Sequence, residues 1–227
     1  MTEFIEKPIT IQSKAARKRV NGIGINDANY RLSYLDVELG RTIKCPFYTT
    51  WTHMLGRCYS PTYSDIFPTY MGCSVVIEWH TFSNFRRWMK TQDWKGKQLD
   101  KDILIKGNKE YGPTSCIFVS GRVNSLLISS SKDCRGLPVG VSLVKKTGKF
   151  KARINNGFGQ LHIGTFKTEK EASHAYLMKK SEIILEVANS NEALGNLRLR
   201  SALLRHYESF RGDGIKVGES LLIENSP

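Results

Sequence analysis

The chain has 227 residues, of which 40% are hydrophobic and 24% are charged, a balance typical of globular proteins rather than of disordered or fibrous ones. Its 34 Lys and Arg residues against 21 Asp and Glu give a formal net charge of +13 at pH 7, which favours a polyanionic partner such as nucleic acid. No apolar run approaches the roughly 18 residues that span a bilayer, and the N-terminus lacks the apolar core of a secretory signal. We therefore expect a cytoplasmic protein with no membrane partner.

Residues 1–43 predict a polar leader that contains a basic cluster. The members of the cluster are Lys14, Arg17, Lys18 and Arg19, and a turn-rich stretch, NGIGINDANY, follows them. Two interpretations stay open for the cluster: an arm that grips the DNA backbone, and a solvated segment, which is the usual role of such a run.

The cysteines give no sign of a disulfide framework. The five positions are Cys45, Cys58, Cys73, Cys116 and Cys134. Their number is odd and no two are separated by only two residues, so a zinc knuckle is not indicated either. We expect buried, reduced thiols that pack as small hydrophobes, and a zinc site is the less favoured alternative.

Residues 44–128 predict two aromatic helices followed by the order strand, strand, helix. Apolar residues recur at three- and four-residue spacing over Tyr48–Tyr59 and again over Trp79–Met89, which predicts two amphipathic helices whose aromatic faces form a core. The segment QLDKDILIKGN then predicts a short strand and a turn, and YGPTSCIFVS predicts a turn and a second strand. The segment GRVNSLLISS begins a helix.

Residues 129–136 predict a polar linker, and residues 137–188 predict a three-stranded antiparallel sheet packed on one helix. The strand segments GVSLVKK, KFKARIN and QLHIGTF alternate apolar and polar residues, and turns at Thr147-Gly148 and Asn156-Gly157 separate them. The middle strand turns Phe150, Ala152 and Ile154 to one side and Lys149, Lys151 and Arg153 to the other. One face therefore builds a core and the other carries cations.

A helix follows the third strand directly. Thr168 and Glu171 form a capping box at its start, and an apolar stripe after them faces the sheet. Residues 189–227 predict a C-terminal helix and a tail, with the helix over about 191–210 and its end at Arg211-Gly212. Internal packing of this helix is the preferred prediction, and a homodimer formed through it is the alternative. The predicted fold class is α+β.

The outer face of the predicted sheet is basic. We expect eight residues on or beside it to contact double-stranded DNA: Lys145, Lys146, Lys149, Lys151, Arg153, Asn155, Gln160 and His162. Such side chains donate to phosphate oxygens or to base edges, and a twisted sheet of this width fits the major groove. The alternative is that an uncovered sheet face is polar in any case and happens here to be basic.

The same block resembles the ethylene-response-factor DNA-binding domain, which occurs in plants and in phage homing endonucleases and integrases. The matching segments are GVS (140–142), GKFKARI (148–154), IGTF (163–166) and TEKEASHAY (168–176), and the resemblance covers about fifty residues. It implies three strands backed by a helix, with DNA read by the sheet. His162 stands where that family commonly has a Trp that touches DNA, which implies a weaker or more polar contact at this position.

The centre of the chain resembles phage proteins of the HNH type, whose ββα-metal core cuts DNA beside one divalent ion. The matching segments are LDKDIL (99–104), GNKEYGPTSC (107–116) and FVSGRVN (118–124). The resemblance implies a helical and ββα module at 44–128 in which Asp100 and Asn124 hold one Mg²⁺ or Mn²⁺ ion. Asp102 is a substitute ligand, because hard cations prefer carboxylate oxygens.

Three further positions fall at the catalytic places of that family. Lys101 stands where the general-base His belongs, Ser115 stands where the middle Asn usually lies, and Asn108 is a substitute positioning group. A Lys with an ordinary pKa of about 10.4 is protonated at pH 7 and cannot accept a proton, so His53 and His80 are alternative bases. The implied active site is therefore degenerate.

Three hypotheses describe the function. The leading one is a phage-type DNA-binding protein of HNH homing-endonuclease descent, with divalent-metal-dependent DNA cleavage as the implied activity and the host-cell cytoplasm as the location. The second is a catalytically inactive DNA-binding regulator of transcription or replication. The third is a basic module that docks an acidic host protein.

Overall fold

A computed structural model describes residues 3–127 and 136–224 of the chain, with side chains up to residue 221. The chain divides between Phe118 and Val119 into two compact units, called here the first and the second unit. The fold class is α+β as predicted, with a three-stranded antiparallel sheet that packs on a helix and a C-terminal helix after it. Apart from Gly136, the predicted linker 129–136 lies outside the described residues.

The first unit contains short helices and two-stranded pairings. Its helices and strands are α1 (Ile11–Ala15), β1 (Ser33–Asp36), β2 (Arg41–Lys44), α2 (Pro46–Tyr59), α3 (Pro61–Ile66), β3 (Ser74–Val75), α4 (Phe82–Lys90), β4 (Gln98–Asp100), β5 (Glu110–Tyr111) and β6 (Ile117–Val119). Two 3₁₀ turns lie at Pro68–Tyr70 and Ile77–His80. β1 pairs with β2 antiparallel, β3 pairs with β5 parallel, and β4 pairs with β6.

The second unit begins within β6 and contains the sheet predicted from the sequence. Its further elements are α5 (Gly121–Leu127), β7 (Val141–Val144), β8 (Lys149–Asn155), β9 (Gln160–Phe166), α6 (Glu169–Ala188), α7 (Asn191–Leu194) and α8 (Leu197–Glu224). The sheet order is β7-β8-β9 and both pairings are antiparallel. The predicted chain order of β4, β6 and α5, strand, strand and helix, is confirmed.

The aromatic stripes of α2 and α4 form the core of the first unit, as predicted. Trp51, Leu55, Phe82 and Phe85 are at most 1% exposed. The indole Nε1 of Trp51 donates to the backbone oxygen of Trp79 at 2.7 Å, so its one polar atom is satisfied in the core.

The segment predicted as a polar leader is packed into the first unit. Phe4, Val20 and Ile23 lie against its core. The guanidinium of Arg17 donates to three backbone oxygens, those of Asn26, Ala28 and Tyr30. Arg17 therefore stabilises the fold and is not available as part of a DNA-gripping arm.

Four of the five cysteines lie in the described part of the chain, and all four are free thiols. Cys45, Cys73 and Cys116 are buried and Cys58 is half-buried, as expected for thiols that pack as small hydrophobes. Burial raises the pKa of the Cys58 and Cys116 thiols to about 12, so both stay protonated at neutral pH. Cys134 lies outside the described residues.

The apolar side of α6 covers the inner face of the sheet. The predicted capping box is confirmed: Thr168 Oγ1 accepts from the backbone N–H of Glu171 at 3.2 Å, and Glu171 Oε2 accepts from the backbone N–H of Thr168 at 3.3 Å. Ala172 packs against Val141 and Ala152, and all three side chains are buried. The helix therefore holds the sheet from one side only.

The C-terminal helix does not end at Arg211-Gly212, and that prediction is wrong. α8 continues to Glu224 and packs along α6 of its own chain, which is the internal packing preferred from the sequence. Gly214 allows the close approach, because a Cβ there would lie 2.9 Å from Met178 Sδ. A ring nitrogen of His174 lies 2.8 Å from the backbone oxygen of Gly214. Packing on α6 thus outweighs the helix-breaking tendency of the glycines.

None of the helices in the described ranges combines the length and the apolar character that crossing a membrane requires.

Candidate nucleic-acid interface

The middle strand of the sheet separates apolar from basic residues as predicted. Ala152 and Ile154 are buried under α6, and Lys149, Arg153 and Asn155 are exposed on the other side. Lys151, on the exposed side, is half-buried by its neighbours. The cations of β8 therefore project away from the core, which is the arrangement that DNA contact requires.

The third strand carries a bulge that sequence alternation does not reveal. Two consecutive pairs define it: Ala152 with Gly164, and Arg153 with His162. Ile163 consequently has no partner in β8, and the alternation of β9 shifts by one residue after it. Gln160 and His162 lie on the outer face as predicted, and Thr165 joins them, whereas strict alternation would turn Phe166 outward. Phe166 packs into the core instead.

Lys145 and Lys146 lie in the turn between β7 and β8. Both are exposed, and the turn is closed by the backbone N–H groups of Thr147 and Gly148, which donate to the oxygen of Val144 at 3.0 and 2.9 Å. Gly148 has a φ of 66°, the left-handed conformation that glycine tolerates best. The turn places two cations at the end of the basic face.

Charge is segregated between the two layers of the second unit. From Gly136 to Thr168 the chain contains six Lys and Arg residues and no Asp or Glu. The first carboxylate after the sheet is Glu169, at the start of α6 in the other layer. Within the described residues, no ion pair joins the five cations of 145–153 to a carboxylate. The outer face therefore carries uncompensated positive charge.

The dimensions of this face suit a DNA groove. Lys149, Lys151 and Arg153 are two residues apart, which spaces them about 7 Å from one another along β8. From Lys149 to Asn155 the strand covers about 20 Å. At a rise of 3.4 Å per base pair, that length corresponds to about six base pairs of duplex.

Five HNH-like residues of the first unit lie between the last residue of β4 and the start of β6: Asp100, Lys101, Asp102, Asn108 and Ser115. The Oδ1 atom of Asp100 accepts from the backbone N–H groups of Asp102 and Ile103, both at 2.8 Å. Burial of the Asp100 carboxyl, and then the negative charge of Asp102, raise its pKa to about 6. Asp102 itself is exposed.

Lys101, at the predicted position of the general base, points into the protein. Its side chain is buried, and Nζ donates to the backbone oxygen of Asn108 at 3.0 Å and to Asp102 Oδ2 at 3.3 Å. The ammonium also lies 5.9 Å from the centre of the Tyr111 ring. The contacts of the amine with Asn108 and Asp102 stabilise the conformation of the loop.

Asn108 and Ser115 complete the same polar network. Asn108 Nδ2 donates to the backbone oxygens of Lys101 and Glu110, each at 2.7 Å. Ser115 is buried and its hydroxyl donates to the oxygen of Glu110 at 2.8 Å. These polar groups satisfy backbone oxygens that the irregular loop leaves without strand partners.

The remaining residues of the HNH-like set are not gathered in this loop. Asn124 lies on α5 in the second unit. His53 is exposed on α2, and a ring nitrogen of His80 lies 3.0 Å from the backbone oxygen of Val75. In the part of the chain that the structure describes, no group of three or more His, Cys, Asp or Glu side chains could hold a metal ion.

The sequence-based prediction missed two residues beside the candidate interface, Thr165 and Phe158. Thr165 reaches the outer face only because of the bulge at Ile163, and no local pattern indicates which residue of β9 is unpaired. Phe158 lies in the turn between β8 and β9 with 80% of its surface exposed. The GFG triplet could have indicated Phe158, because it places an aromatic residue in a tight turn.

Comparison of the chain with protein-family models, with curated proteins and with solved structures gives no significant match. Its function is therefore inferred from the geometry and charge of the sites themselves.

Proposed function

We propose that the chain binds double-stranded DNA through the outer face of the sheet β7-β8-β9. The observation that carries the proposal is the segregation of charge: five cations lie on or beside a face that contains no carboxylate among the described residues, and the described acids of the unit lie in the helical layer. A solvated face with no ligand would mix both signs of charge, because interspersed charges reduce self-repulsion.

The chemistry of binding follows from the side chains on the face. Lys145, Lys146, Lys149 and Lys151 would neutralise phosphates and release counterions, and this release supplies most of the affinity. Arg153 would neutralise a fifth phosphate, and Asn155 and Gln160 would supply planar amide groups suited to base edges in the major groove. The resemblance to the ethylene-response-factor domain supports the same use of the sheet.

Replacement of Lys149, Lys151 and Arg153 together by Ala tests the proposal. Binding of a labelled duplex is measured by fluorescence anisotropy between about 50 and 200 mM salt, a range in which phosphate contacts dominate the change in affinity. Five phosphate contacts give a slope of log K against log salt of about −4.5, and the triple variant is expected to flatten the slope by about 3.

The matched control removes the same charge from the helical layer. Lys170, Lys179 and Lys216 lie on α6 and α8, and their joint replacement by Ala is expected to leave affinity and slope close to those of the unaltered chain. Equal losses in both triple variants would show that net charge alone attracts DNA. Unchanged DNA affinity after the sheet substitutions would overturn the proposed surface, and absence of DNA binding by the unaltered chain would favour an acidic protein partner.

Metal-dependent DNA cleavage is a second candidate function, favoured by one observation. The carboxylates of Asp100 and Asp102 are neighbours in the loop, and the charge of Asp102 contributes to the raised pKa of Asp100, so a cation between them would relieve repulsion. Carboxylate oxygens are ligands suited to Mg²⁺ or Mn²⁺. With such an ion bound, the metal would supply an activated water for phosphodiester hydrolysis.

Plasmid nicking distinguishes the nuclease from an inactive DNA-binding regulator. Nicking that requires Mg²⁺ or Mn²⁺ and disappears in Asp102→Asn supports the nuclease. DNA binding without nicking under the same conditions supports the regulator. Asp102 is the better position to replace, because Asp100 also accepts two backbone hydrogen bonds. In either case we propose the host-cell cytoplasm as the location, in line with the resemblance to phage proteins.

A further inference from the structure

The tip of the hairpin between β8 and β9 presents an exposed aromatic ring. Phe158 is 80% exposed, and Gly157 and Gly159 flank it without side chains that could shield it. The last strand pair before the tip is Asn155 with Gln160, two residues of the DNA-facing side of the sheet. The hairpin tip that carries the ring therefore lies just beyond the Asn155–Gln160 end of the basic face.

The backbone of the tip is fixed by hydrogen bonds. Asn156 Oδ1 accepts from the backbone N–H groups of Phe158 at 2.9 Å and Gly159 at 3.0 Å. Asn155 Oδ1 accepts from the N–H of Gly157 at 2.8 Å, and the N–H of Asn156 donates to the oxygen of Gly159 at 3.1 Å. A ligand that contacts the ring would consequently meet a turn that is already ordered, which reduces the entropy lost on binding.

Arg122 supports the ring from one side. Its guanidinium carbon lies 4.4 Å from the centre of the Phe158 ring, while Nε donates to the oxygen of Asn156 at 3.2 Å and Nη2 pairs with Glu186 Oε1 at 3.0 Å. Gly157 makes room for it, because a Cβ at Gly157 would lie 2.2 Å from Arg122 Cγ. One face of the ring is thus occupied by a cation, and stacking of a nucleobase requires the opposite face.

We propose that Phe158 stacks on an unpaired nucleobase, so that the preferred substrate of the basic face is duplex DNA interrupted by an unstacked base. This inference rests on the proposed DNA-binding function. Inside an intact duplex each base already has neighbours on both of its faces, and a protein ring can stack only where one neighbour is missing. The cations of β8 hold the phosphates, and the tip of the hairpin then meets the exposed base.

Two duplexes that differ by a single unpaired adenine in the middle of one strand test the inference. The unaltered chain is expected to bind the bulged duplex about tenfold more tightly, which is within the range found for one base–aromatic stack. Phe158→Ala and Phe158→Leu should lose this preference, and Phe158→Trp should keep it. Because the ring is exposed, none of the three changes is expected to shift the midpoint of thermal unfolding by more than about 2 °C.

The outcomes separate this inference from the proposed function. Equal affinity of Phe158→Ala and the unaltered chain for the bulged duplex would overturn the role of Phe158, provided that the triple substitution on β8 still weakens binding of that duplex. An equal loss of affinity by Phe158→Ala for the bulged and the intact duplex would also overturn the role of Phe158. Stacking on an unpaired base predicts a larger loss for the bulged duplex. DNA binding that survives the triple substitution would overturn the assignment of binding to the outer face of the sheet.

Discussion

The loop after β4 and the outer face of the sheet contain the same kinds of polar side chain and use them in opposite ways. In the loop, Lys101 and Asn108 donate to backbone oxygens of Asn108 and Lys101, and Ser115, between β5 and β6, donates to the backbone oxygen of Glu110. On the sheet, Lys149 and Arg153 project into solvent, and no carboxylate of the described residues pairs with them. The first arrangement stabilises a fold, and the second is suited to an external anion.

The contrast shows that residue type alone does not distinguish a binding site from a structural network. What separates the two regions is whether the hydrogen-bonding capacity of each side chain is used inside the protein. Substitutions in the loop should therefore change stability and leave DNA affinity intact, and substitutions on the sheet face should do the reverse.

Asn108→Ala is the change expected to have the largest effect on stability. It leaves the backbone oxygen of Lys101 without its described donor and that of Glu110 with the Ser115 hydroxyl alone, at a cost of about 2–3 kcal/mol in the free energy of unfolding. Urea unfolding measures the loss. Glu110→Gln is the control, because that side chain is exposed and only its backbone takes part in the network. A destabilisation of Glu110→Gln as large as that of Asn108→Ala would contradict the assignment.

Asp100→Asn should stabilise the protein above pH 6, by about 2 kcal/mol. The pKa of Asp100 is raised from 3.8 to about 6 in the folded protein, so its contribution to stability is complete below pH 3.8 and is lost as the pH rises through 6. Asn keeps the acceptor oxygen for both backbone N–H groups and carries no charge. Variant and unaltered chain should therefore unfold alike near pH 3.5 and diverge by pH 7. If the difference in free energy of unfolding between the two chains is the same at both pH values, ionisation of the Asp100 carboxyl is not its cause.

Lys145→Ala combined with Lys146→Ala should have the smallest effect on stability and a clear effect on the salt dependence of DNA affinity. The free energy of unfolding should change by less than about 0.5 kcal/mol, because both side chains are exposed in a turn. The slope of log K against log salt should flatten by about 2, less than for the three residues on β8. Lys170→Ala with Lys179→Ala on α6 is the charge-matched control, and an equal flattening there would remove the distinction between the two layers.

The local pattern of the sequence was enough to predict the two-layer arrangement of the second unit. Strict alternation along β8, and Thr168 placed three residues before Glu171, are signals contained within one element. The outward direction of the cations of β8 follows from that alternation. These features depend little on the rest of the chain.

Features that depend on a partner segment could not be predicted. The bulge at Ile163 is defined by the register of β9 against β8, and the extension of α8 past Gly212 depends on the surface of α6 that Gly214 approaches. The inward direction of Lys101 likewise depends on the oxygen of Asn108, which the loop leaves without a strand partner. Tertiary contacts decide each of these, and local propensity does not.

The pairing of α8 with α6 sets the limits of a fragment that could be expressed alone. The ring of Phe210 lies over the buried side chain of Lys180, 4.3 Å from Nζ, and Gly214 lies against Leu177 and Met178. A fragment that stopped at residue 188, where the three-strand-plus-helix block ends, would strip this cover from α6 and expose its apolar side to water. Work on the isolated three-strand-plus-helix block should therefore retain the chain through residue 224.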